Sequence, residues 1–132
     1  MRKYLILGIL LLGSMFSYAN VSIRSMETEL VAVGISHESI KEAENILNIA
    51  LKKHRIMLIE LEQKELEVNK LLIEDPEKNW FQINRLLDEI GQINANIKKN
   101  QLKAQIDVRK FISKDDFLKA IELHQMNLGV IK

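Results

Sequence analysis

From His37 to Ile73 the chain contains no glycine and no proline, and its apolar residues return every three to four positions. Ile40, Ala43, Leu47, Leu51, His54, Leu58, Leu61, Val68 and Leu72 fall on one broad face at about 100° per residue. This pattern predicts a helix of roughly 36 residues, about 54 Å long at a rise of about 1.5 Å per residue. Globular helices average about 11–12 residues, so one this long needs a partner of similar length. Glu74-Asp75-Pro76-Glu77-Lys78-Asn79 ends it. Proline cannot continue the preceding turn and suits the first turn of a new helix, with Asp75 as its cap. The second helix is predicted to reach about Phe111, with Ile83, Leu86, Leu87, Ile90, Ile93, Ile97, Ala104, Val108 and Phe111 as its seam. Gly91 lies inside it, as a weak spot costing about 1 kcal/mol relative to alanine or as a place of close helix approach. A turn this tight predicts an antiparallel hairpin.

One local pattern occurs on both sides of that hairpin. Ile35-Ser36-His37-Glu38-Ser39-Ile40 and Ile112-Ser113-Lys114-Asp115-Asp116-Phe117 each place an aliphatic residue before a serine and an apolar residue four places after it. Ser36 and Ser113 read as N-caps, whose hydroxyls accept from an N–H left free in the first turn. The acids that follow suit the positive end of the helix dipole. Ile35 with Ile40, and Ile112 with Phe117, have the spacing of a hydrophobic staple. A third, shorter helix is predicted over Lys114 to about Asn127, with Phe117, Ala120, Ile121 and His124 on one face, ended by Gly129. The expected layout is all-α, with a helical hairpin domain over 35–128 and a short tail over 129–132. Residues 20–34 are expected to be a flexible leader, since no cap or partner is evident there.

Residues 1–19 read as an address. Arg2 and Lys3 precede an apolar run from Tyr4 to Phe16, and Ser17-Tyr18-Ala19 offers small residues where a signal peptidase reads, so cleavage is expected before Asn20. The run is shorter than the ~20 residues of a membrane span, so no stable span is expected after cleavage. Removing Arg2 and Lys3 takes 19 basic residues to 17 against 18 acidic, a net charge of −1. Charges of both signs are interspersed, which argues against nucleic acid as a partner. The chain has no cysteine, which excludes disulfides, thiol catalysis and cysteine-bound metal.

The chemistry of a catalyst is missing from the pattern. There is no Ser-His-Asp set, no glycine-rich phosphate loop and no carboxylate pair placed for acid–base work, so neither an enzyme nor a cofactor is expected. The nearest approach to a metal-ligand set is His54, Met57 and His124. A site needs three or four convergent ligands, and a seam position such as His54 suits a half-buried histidine equally. What does stand out is surplus apolar surface. Ile49, Ile56, Ile59 and Leu66 lie away from the seam of the first helix, and Phe81, Leu102 and Ile106 away from that of the second. The run Ile56-Met57-Leu58-Ile59 nearly encircles its helix, so one partner cannot cover it. Solvated faces do not usually carry so many large aliphatics, and a second subunit, the third helix or a bound partner is expected to cover them, a homodimer first among these.

The twin Ile-Ser caps, the long hairpin between them and the Glu74-Asp75-Pro76 tip resemble the Spy/CpxP family of periplasmic stress proteins. That family carries a Leu-Thr-x-x-Gln sequence twice, each copy opening a helix. Here Ile35-Ser36 and Ile112-Ser113 match the aliphatic and hydroxyl positions, while Ser39 and Asp116 stand where the glutamines would be. The resemblance covers roughly residues 31–125. It implies a cradle-shaped antiparallel homodimer in the periplasm that binds unfolded or aggregation-prone proteins without ATP. Ile49, Ile56, Met57, Ile59, Leu102 and Ile106 are then the expected client contacts. The family's chaperones have a basic cradle and this chain is near neutral, so apolar contact would have to dominate. Two other readings share the same features: a secreted hairpin of structural or adhesin-like type, and a metal-responsive periplasmic regulator resting on the three histidines.

Overall fold

The computed structural model describes Ile23 and residues 25–129. The expected signal segment 1–19 and residues 130–132 of the tail lie outside the described residues. Among the described residues every regular element is a helix, as the sequence predicts: α1 (Glu27–Ala32), α2 (His37–Glu74), α3 (Trp80–Val108) and α4 (Lys114–Asn127). None of these helices is long and apolar enough to cross a membrane.

Within the stretch 20–34 expected to be a flexible leader, Glu27–Ala32 is helical. Ile23, Met26 and Leu30 are buried, and α1 ends in a well-bonded cap. The Ile35 N–H donates to the Leu30 carbonyl at 3.0 Å, and the Gly34 N–H to that of Val31 at 3.0 Å. These two bonds are the Schellman arrangement, which needs a left-handed residue at the position Gly34 occupies with φ 98°. The apolar stripe of α1 is short, but it has three helices to pack on, and that tertiary contact outweighs its weak local signals.

Two residues later α2 begins. Ser36 Oγ accepts from the Ser39 N–H at 3.1 Å, and its carbonyl from the Ile40 N–H at 3.1 Å. Ser113 does the same for α4, accepting from Asp116 at 3.1 Å, with Asp115 and Asp116 in the first turn. At the end of α2, Asp75 Oδ1 accepts from the Lys78 N–H at 3.2 Å and the Asn79 amide donates to the Leu71 carbonyl at 3.3 Å. Pro76 therefore opens a capped turn, and α3 proper starts four residues later at Trp80.

The described chain divides into two compact units, one containing residues up to 51 and from 103 onward, the other residues 52–102. In the first, Ile23, Met26 and Leu30 pack with Ile40, Ala43 and Leu47 of α2, Val108 and Ile112, and Ala120 of α4. Ile35, Phe111, Phe117 and Ile121 close around them, so both pairs of staple residues belong to one core. In the second unit Val68 and Leu71 of α2 pack with Ile83, Leu86 and Ile90 of α3. Lys64 Nζ reaches Glu89 Oε2 at 2.8 Å above that core.

The covered line on α2 runs Ile40, Ala43, Leu47, Ala50, His54, Met57, Leu61, Lys64, Val68, Leu71, all buried or half-buried. Its steps alternate three and four, a period of about 3.5 rather than 3.6. On α3 the line Ile83, Leu86, Ile90, Ile93, Ile97, Asn100, Ala104 keeps the same steps. Three seam expectations are corrected by this period. Leu58 and Leu72 are exposed while their neighbours Met57 and Leu71 are covered, and Leu87 of α3 is exposed. A fixed 100° step drifts by about 20° per heptad from a 3.5 line, enough to select the wrong neighbour after a few turns.

Gly91 is corrected in part as well. A Cβ there would meet nothing within 4 Å, so no close helix approach requires glycine. Gly91→Ala is expected to raise stability by about 0.5–1 kcal/mol in urea unfolding. Gly34→Ala, equally free of neighbours but at φ 98°, is expected to lower it by about 1 kcal/mol or more.

Candidate functional site

The candidate site is built from large aliphatic side chains on the helix surfaces. On α2, Ile49, Ile56, Ile59, Leu66 and Ile73 are all exposed, from 53% to 85%. At about 100° per residue the five fall within about 120° of arc, on the flank opposite much of the covered line. Every one is a large aliphatic, and none is used by either core. On α3, Trp80, Leu87, Leu102 and Ile106 are exposed on one flank, with Phe81 beside them at 82%.

Of the expected client contacts, Ile49, Ile56, Ile59, Leu102 and Ile106 are therefore on the surface. Met57 is not. It is 8% exposed and belongs to the covered line of α2, because the 3.5 period turns it inward while Ile56 on one side and Leu58 on the other stay outside. Ile73 and Trp80 were missed, since both lie at helix ends, where a seam reading stops.

The cap residues do structural work. Ile112 is buried and Ile35 half-buried in the core of the first unit, and Ser36 and Ser113 are exposed with their hydroxyls committed to helix N–H groups. Among the described residues no three or more His, Asp or Glu side chains are grouped to hold a metal.

His124 has a different role. Its Nδ1–H donates to Glu29 Oε1 at 3.1 Å, and Asn127 Nδ2 donates to the same oxygen at 3.0 Å. Glu29 is buried despite its charge, and the Asn127 amide, then the His124 imidazole, hold its carboxyl below the ordinary value of 4.5. This link joins positions 95 and 98 residues apart, so no sequence spacing announces it. In the second unit Lys64 lowers the Glu89 carboxyl, and Glu89 raises the Lys64 amine. Lys103, then Lys110, lower Asp107 near the end of α3.

Comparison with protein-family models, with curated proteins and with solved structures returns no match.

Proposed function

We propose that this chain is an exported, ATP-independent chaperone-like protein of the cell envelope, of the Spy/CpxP type. In this reading α2 and α3 form an antiparallel hairpin that pairs with a second copy as a cradle. Unfolded clients bind to its apolar flank. The observation that carries the reading is the exposed stripe Ile49, Ile56, Ile59, Leu66 and Ile73, which no core consumes. A line of aliphatics left in water favours a partner that can cover it. The matched 3.5-residue lines on α2 and α3 support the hairpin, because helices that pack along their length keep that repeat. The capped helix starts at Ser36 and Ser113 support the resemblance on which the family assignment rests.

The test is suppression of aggregation by the purified chain without nucleotide, using a chemically unfolded client. Light scattering should fall in proportion to added chain and reach a plateau near stoichiometric amounts. No suppression at several-fold excess removes the reading.

The exposed stripe also favours a second reading, a structural protein that associates through its own helices. The spacing of Ile49, Ile56, Ile59, Leu66 and Ile73 in steps of seven and three is that of a helix–helix seam. Sedimentation with a hydrophobic dye separates the two. A closed dimer that still binds dye favours the chaperone, and concentration-dependent assembly that excludes dye favours the structural protein.

A further inference from the structure

α1 is a short element whose apolar residues are buried in the core of the first unit. It spans six residues, and Met26 at its start provides no side-chain cap. A helix this short has no stability of its own. Its anchors are the apolar side chains of Ile23, Met26 and Leu30 and the polar cluster around Glu29. That cluster is incomplete. Glu29 Oε2 is buried and has no hydrogen-bond partner among the described residues, while Oε1 takes both donors. A carboxylate holds its donors most strongly while it is charged, and those bonds weaken when it is protonated.

We propose that α1 is a strap over an apolar groove of the first unit, latched by the Glu29 carboxylate and released when that carboxylate takes up a proton. Release turns about Gly34, where a left-handed backbone already separates α1 from the cap of α2. It uncovers the surface formed by Ile40, Ala43, Leu47, Val108, Ile112 and Ala120. The inference concerns this unit alone and holds whether or not the exposed stripe binds clients.

The surroundings set the direction. From α4, Glu29 faces His124 and the neutral Asn127. From α2 the nearest titratable partner of α1 is His37, which lies 3.3 Å from Glu27 rather than from Glu29. The end of α3 and the turn after it present apolar Val108 and Ile112. Among the described residues, His124 is the titratable group that acts on the carboxylate. With its proton affinity lowered in the latched state, the latch is complete above the ordinary carboxyl value of 4.5 and is lost as pH falls below it.

The methionines read this out, because a brief peroxide pulse oxidises accessible thioethers. Met26 is 4% exposed under the strap, Met57 is covered in the other unit at 8%, and Met126 is open at 56%. In the full chain at about pH 7, Met126 should oxidise while Met26 and Met57 are protected. At about pH 3.5, Met26 should gain at least about tenfold relative to Met126, with Met57 still protected. Glu29→Gln should expose Met26 at about pH 7 and abolish its pH response, and His124→Ala should expose it with the carboxylate intact. Three results overturn the strap: Met26 protected at the lower pH, a wild-type pH response in Glu29→Gln, or Met57 gaining in step with Met26.

Discussion

Replacing Leu30 by alanine is expected to lower stability by about 3 kcal/mol. Its side chain is 0% exposed and packs among Ile40, Leu47, Val108 and Ile112. Truncation loses the transfer energy of the removed methyl groups and leaves a hole that several rigid helices cannot collapse to fill. Leu128→Ala is the control. That leucine is 64% exposed, and its loss should move stability by no more than about 0.5 kcal/mol. Urea unfolding followed by circular dichroism measures both. A loose leader would make the two substitutions equivalent, so equal midpoints would mean that α1 does not belong to the core.

The second large effect is expected on the proposed client binding. Ile56→Lys with Ile59→Lys should abolish aggregation suppression, lowering it by about tenfold or more, while stability changes by no more than about 0.5 kcal/mol. The separation follows from position. Both isoleucines are more than half exposed, so lysine there removes apolar contact area without opening a cavity. Met57→Ala, one residue from Ile56, should do the reverse, costing about 2 kcal/mol of stability and leaving the exposed stripe intact. Full suppression by the double lysine variant would show that the stripe is not where clients bind.

The long helix was legible in the sequence for a simple reason. An uninterrupted stretch from His37 to Ile73 with periodic aliphatics has few other ways to fold, and Ser36 and Ser113 mark helix starts by local chemistry alone. Phase was harder. Met57 and Leu58 differ only by one step on the helix, and which of them is covered depends on a 3.5 period imposed by packing, not by the residues themselves. α1 was not legible either. Its burial comes largely from residues of the other helices, ten to about ninety positions away, and the Glu29–His124 contact closes a loop of 95 positions. The exposed stripe was read largely correctly because each aliphatic was judged only by its distance from the seam. Ile73 and Trp80 escaped because the ends of a helix have no seam to be measured from.

The alternating steps of three and four along α2 also restrict how this chain can change in length. One residue inserted between Met57 and Leu66 rotates everything beyond it by about 100°, which carries Leu66 and Ile73 toward the covered side and brings Val68 and Leu71 toward water. Seven residues inserted at the same point make about two full turns, and the same side chains face inward again. Relatives of this chain should therefore differ in the length of this helix by sevens.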